Sequence, residues 1–124
     1  MGDAKPFRVQ LSRKPTWRLP PNSVKVDRST RWGNPFIVGQ HGTRAECVGN
    51  FERLMAGMIC VTNGPHPKIQ RDYYNMVLRD RHQLVGKNLA CWCAIEEGGK
   101  PVPCHADVLL RVAANAAKDK RVVK

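Results

Sequence analysis

The apolar and polar positions of this chain change period several times, and each change marks an element. Phe7-Arg8-Val9-Gln10-Leu11 alternates, the pattern of a half-buried strand, and Val24-Lys25-Val26 repeats it briefly. Between them, Ser12 to Ser23 carries Pro15, Pro20 and Pro21, which disfavour helix there. Ala45, Val48, Phe51, Met55 and Met58-Ile59 then fall at three- and four-residue steps, which predicts an amphipathic helix. Thr43, followed three residues on by Glu46, has the makings of a capping box that would start it. Asn63-Gly64-Pro65-His66-Pro67 breaks the chain. Lys68 to Val85 predicts a second helix, with Ile69, Tyr73, Met76 or Val77 and Leu84 inward and Arg71, Arg79, Asp80 and Arg81 outward. Asn88 to Cys93 reads as a short buried strand, Ala94 to Pro103 as a polar loop and His105 onward as a third amphipathic helix.

The resulting order, β-β-α-α-β-α, predicts one small α/β domain over residues 7–116, with a sheet of three or slightly more strands covered by about three helices. Residues 1–6 and 117–124 are expected to be flexible termini. A chain of 124 residues suits one core and is short for two. No apolar run approaches the ~18 residues of a membrane span, and MGDAKPFRVQ lacks the apolar stretch of a secretory leader. A soluble, cytoplasmic protein without a membrane partner is therefore expected.

Five cysteines, an odd number, in such a chain point to reduced thiols, a metal site or catalysis rather than a disulfide framework. Three of them lie close together in sequence. Cys91 and Cys93 share one face of the predicted strand, and Trp92 takes the other. Their Cβ atoms in an extended strand would be roughly 6.5 to 7 Å apart, too far for the ~3.5 to 4.5 Å of a disulfide. Both can reach one zinc only if the chain bends as it leaves the strand. Pro103-Cys104-His105-Ala106-Asp107 looks like the start of a helix, where free N–H groups and the helix dipole favour a thiolate, so a low-pKa thiol is predicted at Cys104.

Ligands of open α/β sheets bind beyond the carboxyl ends of strands, which makes Cys91, Cys93, Cys104 and His105 the candidate site. They suit a Cys3His zinc set, although the spacing C-x-C-x10-C-H departs from ordinary zinc fingers. They also suit a thiol enzyme in which His105 serves Cys91 or Cys93. A Cys104–His105 pair is not expected, because neighbours on a helix face apart. Cys47 and Cys60 read as packing residues, and His41, His66 and His82 as solvated.

The formal net charge of +11 and a pI near 10.0 extend the picture to partners, favouring phosphates of nucleic acid or nucleotides. Part of that charge sits at the end, in Lys118 to Lys124. Within Asp27 to Phe36, Arg28 and Arg31 flank Ser29-Thr30, and Gly33-Asn34-Pro35 forces a turn. Guanidinium groups, hydroxyls and exposed N–H groups are the parts of an anion cradle. The plainer alternative is a structural turn, with Trp32 in the core and Asn34 bonded to its own backbone. The candidate phosphate or nucleic-acid surface comprises Arg13, Trp17, Arg18, Arg28, Arg31, Trp32 and Asn34.

Taken together, VQLSRK with WRLPPNSVKVDRSTRWGNPF, and GKNLACWC with PCHADVLL, resemble a bacterial and phage family of domains known as domain of unknown function 4326. The likeness covers roughly Val9 to Ala114. The ten residues between Cys93 and Cys104 make a longer loop than the compact, proline-centred one of the family. The resemblance implies no established activity, but it implies that the two stretches contribute to one composite site. Three functions are compatible with the sequence: a nucleic-acid- or nucleotide-associated domain with zinc at its Cys/His site, a Cys/His-dependent enzyme acting on a nucleotide or nucleobase, or an interaction protein whose cysteines are structural.

Overall fold

The computed structural model describes residues 5–119, with side chains as far as Ala116. Its centre is a parallel three-stranded sheet. β1 (Arg8–Gln10) and β2 (Ser23–Lys25) both pair with β3 (Asn88–Cys91), giving the order β1-β3-β2. Val9 stands opposite Ala90, Gln10 opposite Cys91 and Val24 opposite Leu89. The pairing explains the sequence pattern: β3 is covered on both faces, and its Leu89, Ala90 and Cys91 are all buried, whereas the edge strands alternate. Two further bonds carry the ladders past the strand ends, from the Leu11 N–H to the Cys91 carbonyl at 2.9 Å and from the Val26 N–H to the Ala90 carbonyl at 2.8 Å.

The helices are α1 (Arg44–Met55), α2 (Pro67–Asp80) and α3 (His105–Asp119). The larger core gathers Val26, Phe36, Phe51, Leu54, Val77, Leu84, Leu89 and Leu109. A smaller cluster of Val9, Leu11 and Ala90 is closed over by Trp17 and Leu19. This is the α/β domain the sequence predicts, and it adds a hairpin where a loop was expected: β4 (Glu96–Glu97) and β5 (Lys100–Pro101) pair antiparallel. Gly98 and Gly99 turn the hairpin at φ values of 59° and 78°, a two-residue turn that glycine alone adopts without strain.

The boundaries also differ from those expected. The capping box forms, with the Glu46 N–H donating to Thr43 Oγ1 at 3.2 Å and the Thr43 N–H to Glu46 Oε1 at 2.8 Å. α1 stops at Met55 because Gly57 takes φ 93°, so Met58 and Ile59 lie outside it. α2 ends at Asp80 and passes into a 3₁₀ turn, Arg81–Leu84. Gln70, not Ile69, is fully buried, as is Val77. The Gln70 amide takes the Cys60 N–H at 2.9 Å and donates to the carbonyls of Cys60 and Pro65, both at 2.7 Å, which pins the segment between the helices. His41 is buried rather than solvated, its Nδ1 accepting from the Ile37 N–H at 2.8 Å. His66 caps α2, its Nδ1 accepting from the Lys68 N–H at 3.0 Å. Cys47 is buried as expected, and Cys60 is half-buried with its thiol donating to the Thr62 carbonyl. α3 runs to Asp119, so residues 117–119 continue a helix, and the rest of the expected basic end lies outside the described residues. Among the described residues no helix is long and apolar enough to cross a membrane.

Candidate metal centre

β3 ends at Cys91 and the chain bends immediately, so Trp92 and Cys93 leave the sheet. The bend brings Cys93 Sγ to 3.9 Å from Cys91 Sγ. Cys104, just before α3, completes a set in which the three sulfurs lie within 4.8 Å of one another. Two thiolates on one tetrahedral zinc stand about 3.8 Å apart, given Zn–S bonds of ~2.3 Å. Three cysteines at this spacing can hold a metal ion. No disulfide links them.

The start of α3 holds its half of the cluster with its own backbone. The Cys104 N–H donates to Asp107 Oδ2 at 3.3 Å, the Asp107 N–H donates to the Cys104 carbonyl at 3.0 Å, and the Ala106 N–H points at Cys104 Sγ from 3.5 Å. His105 is buried edge-on against Phe51 at 5.4 Å. Its Nε2 lies 2.7 Å from the Val26 carbonyl, which can only accept, so Nε2 carries a proton. Nδ1 then faces Cys104 Sγ at 3.7 Å. The adjacent Cys and His do meet, contrary to the expectation from helix spacing, because Cys104 precedes the first helical residue and its side chain does not follow the helical rotation. A ring nitrogen beside a sulfur, with the other nitrogen bonded to a carbonyl, is also how a ligating histidine is commonly oriented.

Arg8, on β1, was read only as an outward strand residue. Its side chain is 7% exposed. Nη2 donates to the carbonyls of Ala94 at 3.1 Å and Ile95 at 3.2 Å, and Nη1 lies 3.6 Å from Asp107 Oδ2. Arg8 thereby ties the chain just after Cys93 to the first turn after Cys104. Nothing in the local sequence marks it, since an arginine in an alternating strand ordinarily faces water.

The thiols of Cys91 and Cys93 resist ionisation. At Cys91 the hydrogen bond with Cys104 favours the thiolate, but the contact with Cys93 and burial outweigh it, and the pKa rises. At Cys93 the bond with Cys104 raises the pKa and burial adds to it, while Cys91 and the Arg44 guanidinium work the other way. A low-pKa thiol is therefore absent at Cys91 and Cys93. Adjacent buried sulfurs that cannot all be charged alone are stabilised as thiolates by a cation among them.

A small cavity of about 70 Å³ opens onto this cluster, lined by Cys91, Cys93 and His105, by Arg28, Asn34 and Arg44, and by Phe36, Val38, Cys47 and Val48. Arg28 and Arg44 are exposed and have no hydrogen bond or ion pair among the described residues. Arg44 escaped the sequence reading because it looks like an ordinary first residue of a capped helix.

The turn from Asp27 to Phe36 spends most of its polar groups on itself. The buried Asp27 carboxylate accepts from the Ser29 hydroxyl and the Trp92 indole N–H, both at 2.9 Å. The Asp27 carbonyl accepts from the Thr30 N–H and hydroxyl, both at 3.0 Å. Asn34 accepts from the Phe36 N–H at 2.9 Å and donates to the Cys47 carbonyl at 3.4 Å. Gly33 is required by close approach: a Cβ there would sit 2.8 Å from Arg28 Cα.

The remaining members of the predicted phosphate surface are scattered. Arg31 pairs with Asp80, donates to Gln83 Oε1 at 2.7 Å and lies 4.8 Å from the Trp32 ring centre. Trp32 is buried, its carbonyl accepting from the Tyr73 hydroxyl at 2.7 Å, and it offers no free face for stacking. Trp17 covers the small core cluster. Arg18 bonds the carbonyls of Pro15 and Trp17, each at 3.3 Å, and Arg13 lies over the Trp92 ring at 4.6 Å. Of that set, only Arg28 and Asn34 line the cavity beside the cysteines.

With the geometry established, comparison with known families gives one match. The family described as Domain of unknown function (DUF4326) matches residues 9–115, and the chain belongs to it. No curated protein and no solved structure matches.

Proposed function

We propose that this member of the DUF4326 family holds zinc at Cys91, Cys93 and Cys104, with His105, whose Nδ1 meets Cys104 but stands outside the mutual 4.8 Å of the sulfurs, turning in as fourth donor when the metal binds, and that the metal-stabilised domain binds phosphate-bearing nucleic acid or nucleotides. The convergence of the three sulfurs within 4.8 Å carries the metal assignment. The sulfur-rich donor set suits zinc over harder cations. The formal charge of +11 supports the polyanion partner.

Elemental analysis of protein purified without added metal tests the first half. Near-stoichiometric zinc that is lost on Cys91→Ser is expected, and protein free of zinc and iron would remove the metal site. Salt-dependent oligonucleotide binding tests the second half, and binding indifferent to salt would remove it.

One observation favours a thiol enzyme instead, the 3.7 Å approach of Cys104 Sγ to His105 Nδ1. Cys104 is fully buried, however, and the thiols of Cys91 and Cys93 have raised pKa values, so a ready nucleophile is lacking. Labelling of a single cysteine much faster than free cysteine at neutral pH would restore the enzyme reading.

A further inference from the structure

Two cavities meet at one wall. The small one above the sulfurs shares Arg28 and Asn34 with an open cleft of about 240 Å³, whose other lining residues are Thr30, Gly33, Pro35 and Ile37. The polar groups of Thr30 and Asn34 are already bonded within the turn or to α1, so the free charge at the shared wall is that of Arg28, and Arg44 adds a second guanidinium on the small cavity alone. Among the described residues no carboxylate lines either cavity, and the sulfurs of Cys91 and Cys93 on the small one are those assigned to the metal. The α1 N-terminus is closed by its own capping box, so the charge presented comes from the Arg44 side chain rather than from free helix amides.

Two unpaired guanidinium groups beside a small cavity suit a tetrahedral oxyanion such as a phosphate. The adjoining cleft is partly apolar through Pro35 and Ile37 and lacks further cations beyond Arg28. It suits the uncharged body of a small molecule rather than a run of backbone phosphates. Together the two spaces reach roughly the 300 Å³ lower end of small-molecule sites.

We propose that Arg28 and Arg44 form a phosphate-binding site over the cysteine centre, and that its ligand is a phosphomonoester of nucleotide size. The phosphate occupies the small cavity and the body of the ligand lies in the cleft. The proposal rests on the phosphate-recognition half of the reading above and narrows it from a polyanion surface to one terminal phosphate. That group has two sources, a free mononucleotide or the phosphorylated end of a strand.

Calorimetric titration of the full chain separates the possibilities, using adenosine 5′-monophosphate, adenosine, and oligothymidylate with and without a 5′-phosphate. The proteins are the wild type, Arg28→Gln, Arg44→Gln and the control Lys68→Gln, whose lysine pairs with Asp72 on α2. Each arginine is exposed, so folding is expected to survive its change, and zinc content and circular dichroism on the same samples check this.

The monophosphate is expected to bind at least tenfold more tightly than adenosine. Each arginine change is expected to weaken it about tenfold, the scale of a charged hydrogen bond, and Lys68→Gln to leave it alone. If the 5′-phosphorylated strand shows the same dependence, the strand end is a source. If it does not and the monophosphate does, the ligand is the free nucleotide. Oligothymidylate bound equally with and without its 5′-phosphate, and indifferent to both arginines, overturns the proposal and leaves the polyanion reading standing. Absence of binding by every probe overturns both.

Discussion

The cysteine centre and the turn from Asp27 to Phe36 carry residue types of equal chemical promise, and the fold uses them in opposite ways. In the turn, Ser29, Thr30 and Asn34 each find a partner within a few residues or on the neighbouring α1, and Arg31 finds one on Asp80. Oxygen and nitrogen groups close to free backbone are readily consumed as local structure. In the centre, the sulfurs are poor partners for backbone groups and come to lie mainly against one another and the histidine. The difference suggests that a polar motif in a turn should be discounted by what its own backbone can absorb, whereas thiols brought together from distant elements deserve full weight.

The largest break in this contrast is Cys104→Ser. It is expected to reduce zinc from near one equivalent to under about a tenth, and to lower the melting temperature of metal-loaded protein, because binding free energy at such sites is folding free energy. Elemental analysis with differential scanning calorimetry checks it, and an unchanged zinc content would show that the sulfurs do not act as a set. Next, Arg8→Gln should weaken zinc ten- to a hundredfold, the usual effect of losing an outer partner of a metal site, because the bonds to Ala94, Ile95 and Asp107 keep the two halves in register. A chelator competition that gives the wild-type affinity would return Arg8 to plain packing.

Gly33→Ala probes the turn. The added Cβ would lie 2.8 Å from Arg28 Cα and 3.0 Å from the Asp27 carbonyl oxygen, both backbone atoms, and a loss of about 1 to 3 kcal/mol is expected from the forced shift. Urea unfolding reads it, and an unchanged midpoint would mean that the turn gives way freely. The smallest effect concerns Asp80, whose carboxyl is held below its usual range by Arg79 first and by Arg31 as well. A depressed folded-state value stabilises the protein above the unfolded value near 3.9 and is lost as pH falls through the folded one. Asp80→Asn should therefore flatten the acid limb of the stability curve slightly while leaving neutral zinc content intact, and a steeper acid limb in the variant would contradict the pairing.

Much of the architecture was legible because it depends on local signals. The capping box at Thr43, the alternation of Phe7 to Leu11 and the unbroken apolar run of Leu89 to Cys91 each report their own element. The site was legible in its sulfurs for the same reason, since Cys91 ends a strand, Cys93 follows two residues on and Cys104 stands just ahead of a helix. What stayed hidden depends on contacts across the chain. Arg8 matters through carbonyls 86 and 87 residues away, and Arg44 through a cavity whose lining comes from the turn, α1, β3 and the start of α3 together. Gln70 is buried because a loop needs its amide, against every hydrophobic pattern. The hairpin at Glu96 to Pro101 was missed because its strands are two residues long and fully exposed, leaving no alternation to read.

The position of β3 has a consequence for how the polypeptide reaches this state. β1 and β2 are not neighbours in the sheet; each waits for β3, the last of the sheet's three strands to be translated, and Arg8 meets Leu89 only across 80 intervening positions. No rung of the sheet can close on a ribosome until Asn88 to Cys91 has emerged, so a nascent chain cut short of that point holds two orphan strands, and loop closure over such a span slows collapse. Cys91 arrives with that strand, and Cys93 and Cys104 follow before α3, so one late stretch of chain completes both the sheet and the cysteine cluster.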